Sequence, residues 1–89
     1  MLTFTGSTAV GQSIMRAAAS NVKRIGLELG GKSPNVIFAD VDIEKAVEWA
    51  MLGIFFNQGE VCCAGSRIII EKSIKDEFVE KLAKKAKAM

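Results

Sequence analysis

Short apolar, β-prone segments alternate with amphipathic segments of helical period along this chain, and no other sequence feature constrains its fold as strongly. The β-prone segments cover four stretches, Leu2–Thr5, Val22–Leu29, Asn35–Phe38 and Arg67–Glu71. Alternation of this kind is typical of α/β proteins, in which helices cover a parallel or mixed sheet. We therefore predict an α/β fold with a parallel or mixed sheet.

Helices are predicted between these strands. The first runs from Ala9 to Ala19, and its apolar face is expected to carry Val10, Ile14, Ala17 and Ala18. A second helix, capped by Asp40 or Asp42, ends near Phe55 or Phe56. The apolar stripe of this second helix is formed by Ile43, Ala46, Val47, Ala50 and Ile54. Ser73 is expected to open the last helix, whose inner face is Ile74, Phe78, Leu82 and Ala86.

Composition bounds the class of protein. A chain of 89 residues with 49% hydrophobic residues is expected to leave apolar surface exposed, because small domains bury only about 60% of the surface that their unfolded chains expose. The surface that these segments normally contact is therefore expected to lie outside the 89 residues. Lysine and arginine total 12 against 10 acidic residues. Five of the lysines lie in "KDEFVEKLAKKAK" and are expected on the solvated face of one helix, and the absence of a second basic cluster interleaved with aromatics argues against nucleic-acid binding. No apolar run spans a membrane and no signal-peptide pattern opens the chain, so we expect a cytoplasmic protein.

The two cysteines, Cys62 and Cys63, are neighbours in a loop between Gly59 and Gly65. A disulfide between them would be strained, and the chain has no histidine, so we expect free thiols in a reducing compartment and no metal site. A free thiol is the strongest nucleophile available to a protein near neutral pH. With no imidazole, a catalytic thiol needs a carboxylate, a lysine or a backbone dipole as its partner, and Glu28 is the obvious candidate. Alternatively, both cysteines are small buried hydrophobes.

Two further stretches carry possible chemistry. In "FTGSTAVG", Gly6 and Gly11 have the spacing of the first and third glycines of a dinucleotide-binding fingerprint, with Thr8 in place of the middle one. The alternative is an ordinary turn with a Ser or Thr helix cap. In "LELGGKSP", Glu28 stands between two leucines and before two glycines. A carboxylate with apolar neighbours suits a general base, and the alternative is an edge-strand glutamate that points into solvent.

Taken together and in this order, "FTGSTAVG", "LELGGKSP" and "FNQGEVCCAGSR" resemble the core of the NAD(P)-dependent aldehyde dehydrogenase superfamily. The separation of 34 residues between Glu28 and Cys62 also fits the glutamate and cysteine signatures of that family. The resemblance covers nearly the whole chain. One departure is Glu60, which stands where glutamine is commoner in the family and adds a negative charge near the thiol.

The resemblance implies roles for individual residues. Cys62 would be the nucleophile and Glu28 the general base. The remaining residues would lie against NAD or NADP: Gly6, Ser7, Thr8 and Gly11, with Ser7 nearest the pyrophosphate, and the backbone of Leu29 at the nicotinamide amide. Cys63 would pack inward as a small hydrophobe, because successive side chains of an extended or turning chain point to opposite sides.

The resemblance also implies an organisation and an activity. Residues 1–31 would be the end of a Rossmann-like cofactor domain, and residues 32–89 the start of the catalytic domain that carries the thiol. In a full-length enzyme, expected to be a homodimer or homotetramer, an aldehyde would be oxidised to an acid through a cysteine thiohemiacetal and thioester. The 89 residues alone are expected to be inactive. The alternatives are a relative that transfers the acyl group to coenzyme A, and a truncated or non-catalytic chain.

Overall fold

Strands and helices alternate through the computed structural model, which describes all residues from Met1 to Met89. The chain forms two compact units, Met1–Gly31 and Lys32–Met89. The first contains strand β1 (Leu2–Thr5), helix α1 (Thr8–Ala19) and strand β2 (Ile25–Glu28). The second contains β3 (Pro34–Ile37), α2 (Ile43–Phe55), β4 (Arg67–Ile70) and α3 (Lys75–Ala86). The predicted α/β class is confirmed.

In the first unit, β1 and β2 form a parallel pair joined by α1. The register places Leu2 opposite Ile25 and Thr5 opposite Glu28. Ser7 caps α1, because its side chain accepts a hydrogen bond from the N–H of Val10 at 3.3 Å. Parallel strands require a crossover of this kind, so the helix begins directly beyond the carboxyl end of β1.

The prediction for the segment after α1 was wrong. The strand expected from Val22 begins only at Ile25, because the residues before it terminate the helix. The N–H of Lys23 donates to the Ala18 carbonyl at 3.0 Å, and Val22 adopts a left-handed φ of 54°. This is the Schellman arrangement, with a valine where glycine is usual. Val22 is consequently 90% exposed.

The apolar face of α1 also differs from the prediction. Gly11 and Ala18, seven residues apart on one face, are the buried residues of the helix. Val10 and Ala17, expected on that face, are exposed. A helix with a glycine and an alanine at its contact face lies close to the strands beneath it.

In the second unit, β3 and β4 form another parallel pair, joined by α2. Pro34 lies opposite Arg67 and Ile37 opposite Ile70. The core consists of buried residues from both helices and β3, namely Ile37, Val47, Ala50 and Phe78. Phe78 and Val47 are fully buried, and burial of two such side chains contributes about 1.5–3 kcal/mol each.

Helix starts were predicted with mixed success in this unit. Asp42, one of the two candidate caps, accepts hydrogen bonds from the N–H groups of Glu44 and Lys45 at 3.1 and 3.3 Å. Ser73 does not cap the last helix, because it lies in a 3₁₀ turn over Lys72–Ile74. α3 begins after that turn with no side-chain cap, and acidic residues in its first turn interact favourably with the helix dipole instead.

Ion pairs connect α2 and α3 on their exposed side. The Lys81 ammonium lies 2.6 Å from Glu44 and 3.0 Å from Glu77, and Lys85 lies 3.1 Å from Glu48. Hydrogen bonding to Lys81 lowers the pKa of the Glu44 carboxyl, and hydrogen bonding to Glu44 and Glu77 raises the pKa of Lys81. Exposed pairs of this kind contribute little stability individually.

The face of the β3–β4 pair that points away from the helices is apolar and exposed. Val36 and Ile69 lie opposite one another on it and are 53% and 55% exposed. Parallel sheets in α/β proteins are normally covered on both faces. None of the helices is long and apolar enough to cross a membrane.

We predict that the 89-residue chain self-associates through this sheet face. Replacing Val36 and Ile69 together by Thr keeps the β-branched shape but adds hydroxyl groups, and should shift the sedimentation profile towards monomer. Val22→Thr is the matched control, because Val22 is more exposed but stands alone in a turn. Equal association of the double variant and the control would place the contact elsewhere.

Candidate active site

The loop that carries the cysteines begins with three consecutive left-handed residues. After α2 ends at Phe55, Asn57, Gln58 and Gly59 have φ values of 50°, 56° and 78°. A Cβ atom on Gly59 would lie 2.9 Å from the Ile54 carbonyl oxygen. Left-handed backbone costs about 1–2 kcal/mol for most residues but little for glycine. The chain therefore reverses at Gly59 in a way that a side chain would prevent.

Local hydrogen bonds hold this reversal. The Glu60 N–H donates to the Asn57 carbonyl at 2.9 Å, and the Asn57 amide donates back to the Glu60 carbonyl at 3.2 Å. Asn57 was not among the predicted site residues. A local signal was present, because asparagine tolerates the left-handed region and glycine adopts it without a steric cost.

Cys62 and Cys63 are the two central residues of the turn that follows. The N–H of Ala64 donates to the carbonyl of Val61 at 3.0 Å and closes the turn. Ala64 is buried, and the N–H of Gly65 donates to the Gly53 carbonyl in α2 at 3.0 Å. The turn is thus attached to the C-terminal half of α2.

Both thiols are free and exposed. The expectation that Cys63 packs inward is wrong for this structure, because both central positions of a tight turn project outwards. The two nevertheless differ in surroundings. Cys63 lines a shallow apolar groove of about 340 Å³, whose other walls are Leu52, Gly53, Phe56, Val61 and Ala64, and Cys62 is not part of it.

Glu28 ends β2 in the first unit and is exposed. Its leucine neighbours do not surround it, because Leu27 and Leu29 project to the opposite side of the strand. The Glu28 carbonyl accepts a hydrogen bond from the N–H of Gly6 at 3.0 Å. This bond brings Glu28 to the same sheet edge as the start of α1.

The two glycines of "FTGSTAVG" have packing roles within the first unit. A Cβ on Gly11 would lie 2.8 Å from the Leu29 side chain, and a Cβ on Gly6 would lie 2.5 Å from the Phe4 ring. Gly11 therefore allows close contact between helix and strand, as the third glycine of a dinucleotide fingerprint does.

The start of α1 offers donors for an anion. The first helical hydrogen bond runs from the Gly11 N–H to the Ser7 carbonyl, and Ser7 caps only Val10, so the N–H groups of Thr8 and Ala9 have no partner. The first turn contains no acidic residue, and both Ser7 and Thr8 are exposed. A helix N-terminus of this kind favours phosphate groups.

The structure therefore brings together Gly6, Ser7, Thr8, Glu28 and Leu29 at one edge of the first unit. Cys62 belongs to the second unit. No group of three or more cysteine, aspartate or glutamate side chains is arranged to hold a metal ion. The fold and these groups define a class of α/β protein that has two exposed thiols in one turn and a helix N-terminus that can bind a phosphate group.

The particular family follows from comparison with known proteins. The model of the aldehyde dehydrogenase family matches residues 1–89, and the chain belongs to that family. An aldehyde dehydrogenase of Davidiella tassiana is 57% identical over 84 residues, which is 93% of this chain and 17% of that protein. Retinal dehydrogenase 2 of Mus musculus is 60% identical over 87 residues, which is 97% of this chain and 17% of that protein.

Solved structures of aldehyde dehydrogenases are also similar to this chain. Betaine aldehyde dehydrogenase of Staphylococcus aureus, in complex with NAD⁺, superposes with a TM-score of 0.94 at 52% identity, over 97% of this chain and 17% of the other. An aldehyde dehydrogenase of Bacillus cereus, also with NAD⁺, gives 0.91 at 46% identity, over 96% and 17%. The chain thus spans about a sixth of the length of the relatives that it matches.

We predict that iodoacetamide modifies Cys62 faster than Cys63 in the folded chain. The apolar walls around Cys63 restrict the approach of a polar reagent, whereas Cys62 lies outside that groove. Brief labelling followed by fragmentation of the tryptic peptide 46–67 assigns the label. The same reaction in urea is the control, where the two rates should become similar. Faster labelling of Cys63 in the folded chain would contradict the assignment.

Proposed function

We propose that Cys62 is the nucleophile and Glu28 the general base of an NAD(P)-dependent oxidation of an aldehyde to a carboxylic acid. The observation that carries the proposal is the exposed Cys62 at the centre of an anchored turn, in a chain that belongs to the aldehyde dehydrogenase family. The proposed reaction passes hydride to a cofactor and assigns the activation of water to a carboxylate, so none of its steps is assigned to a histidine, and the chain contains none.

In this proposal, the Cys62 thiolate attacks the aldehyde carbon and forms a thiohemiacetal. The developing oxyanion needs donors, and the backbone N–H of Cys62 takes part in no hydrogen bond within the chain. A single donor of this type lowers a barrier by about 3–4 kcal/mol. Cys62 would therefore supply both the nucleophilic sulfur and one oxyanion donor.

The cofactor is proposed to be NAD or NADP, held at the start of α1. The unpaired N–H groups of Thr8 and Ala9 and the Ser7 hydroxyl fit a pyrophosphate, and no carboxylate in the first turn opposes it. Gly6 and Gly11 shape this edge, and the Leu29 backbone would face the nicotinamide. When bound, the cofactor accepts hydride from the thiohemiacetal carbon. Relatives that match as complexes with NAD⁺ support this choice.

Glu28 is proposed to activate the water that hydrolyses the resulting thioester. Its exposed carboxylate can reach solvent, and its backbone is fixed by the hydrogen bond to Gly6. A carboxylate base makes hydrolysis the expected fate of the thioester, in contrast to transfer to coenzyme A.

The proposal extends to the protein as a whole. Residues 1–31 would close a Rossmann-like cofactor domain, and residues 32–89 would open the catalytic domain. We propose a homodimer or homotetramer in the cytoplasm, where a reducing environment would preserve two exposed thiols. The 89 residues alone are proposed to be inactive, since they represent a sixth of each relative. Relatives named for retinal and for betaine aldehyde match similarly, so these residues carry shared chemistry and not substrate choice.

The nucleophile can be tested in a chimera. Residues 1–89 would replace the matching segment of the Staphylococcus aureus betaine aldehyde dehydrogenase, and NADH formation from betaine aldehyde would be measured. Cys62→Ser should lower the rate to background, and the matched Cys63→Ser should leave most of it. Loss of activity that follows Cys63 instead would remove Cys62 from the proposed role. NAD⁺ binding by each variant verifies that the chimera is folded.

The general base can be tested in the same chimera. Glu28→Gln keeps the shape of the side chain but removes its basicity, so hydrolysis of the thioester should slow by roughly 10²–10⁴-fold. Intact-mass measurement during turnover should then show the acyl group accumulating on the protein. Unchanged turnover together with no acyl adduct would exclude Glu28 as the base.

A further inference from the structure

The outer edge of β3 has no neighbouring strand. β3 pairs only with β4, in a sheet of two strands. The carbonyls of Ser33 and Ile37 accept hydrogen bonds from N–H groups of the β4 segment at 3.3 and 3.0 Å. Backbone groups of a strand point alternately to its two sides, so those of Pro34, Val36 and Phe38 point to the free edge. Such a row of backbone groups can pair with another strand.

An apolar groove of about 400 Å³ lies along this edge. Strand β3 forms one wall, and Val41, Ala46 and Trp49 contribute to the other wall from the following loop and from α2. Phe38 is 66% exposed and Trp49 is 70% exposed. Large apolar side chains that are exposed together mark interaction surfaces. The groove therefore offers apolar contacts beside the free backbone groups of β3.

The charges around β3 are complementary to themselves. Lys32 precedes Val36 by four residues, and Asp40 follows Val36 by four. If two copies paired in antiparallel fashion with Val36 at the centre, Lys32 of each copy would lie opposite Asp40 of the other. Both side chains are exposed, and neither takes part in an ion pair within the chain. Opposite charges across paired strands are stabilising, whereas like charges are destabilising.

We propose that two copies of this chain associate edge to edge through β3, as a twofold-symmetric antiparallel pair centred on Val36. The two Val36 residues exchange both of their backbone hydrogen bonds, and the Phe38 N–H of each copy donates to the Pro34 carbonyl of the other. Pro34 has no N–H to donate in return. The Phe38 carbonyl needs none, because it accepts a hydrogen bond from the Val41 N–H of its own chain at 3.4 Å.

The symmetry of this pair has two consequences. A twofold axis perpendicular to the joined sheet keeps both copies of α2 on one face, so Trp49, the only tryptophan of the chain, becomes covered at the contact. The contact also closes on itself, because the same edge is used by both copies, and association stops at the dimer. It differs from association through the sheet face, since Ile69 lies on β4 and takes no part in it.

The test measures dimerisation by sedimentation equilibrium in an Ile69→Thr background, which removes the sheet-face contact. Lys32→Glu and Asp40→Lys should each weaken the dimer by about tenfold, because each places like charges opposite one another at both ends. An equimolar mixture of the two variants should regain the original affinity, because every facing pair in the mixed dimer is again of opposite charge. Lys87→Glu and Glu80→Lys are the matched controls, and neither should change the affinity.

Tryptophan emission tests the location of the contact. We expect the emission of Trp49 to shift to shorter wavelength over the concentration range in which the dimer forms, and Lys32→Glu should move that range upwards about tenfold.

Three results would overturn the proposal. One is a chain that remains monomeric, or that forms a dimer with unchanged Trp49 emission. Another is an equal effect of the edge variants and the control variants. The third is a mixture that associates no more tightly than either edge variant alone. None of these measurements involves NAD, aldehyde or a proposed catalytic residue, so failure here is separate from failure of the proposed function.

Discussion

Parallel pairing of strands that are close in sequence is the constraint on which both units depend. A parallel pair cannot be closed by a hairpin, so each unit must insert a crossover helix between its strands. In the first unit this places the N-terminus of α1 beside the end of β2, because Thr5 lies opposite Glu28 in the register. Ligands of open α/β sheets bind at such carboxyl edges. The four residue pairs of this register therefore determine where the free N–H groups of α1 and the Glu28 carboxylate meet.

The same constraint has a different consequence in the second unit. Here the cysteine turn lies between α2 and β4, before the second strand of the pair begins. Its anchors are the α2 backbone at Gly53 and the buried Ala64, and Gly65 lies close to Asn35 in β3. The turn is therefore positioned by the helix and by the amino end of the strand pair, and its two central side chains are left exposed.

Much of this fold could be predicted from sequence, because strand segments and helical stripes are local signals. β1 was predicted without error, and β3 and β4 were predicted within one residue of their observed bounds. The errors fall where a local signal was absent. Val22 takes the left-handed position that glycine usually occupies, so nothing in the sequence marks the end of α1 there. α3 begins at Lys75 without a capping side chain, so the sequence pointed to Ser73, two residues earlier, as the start of this helix.

The candidate site was harder to predict, since residue type indicates chemistry but not exposure. The two adjacent cysteines were predicted to be either a reactive thiol pair or small buried hydrophobes, and Glu28 either a base among apolar neighbours or a solvent-facing glutamate. All three residues are exposed in the structure. The decisive element is the left-handed run from Asn57 to Gly59, which reverses the chain after α2. Gln58 is the costly residue of the three, because neither glycine's freedom nor asparagine's local bonding offsets its conformation. This strained reversal ends three residues before Cys62 and leads the chain from the end of α2 into the turn that exposes both thiols.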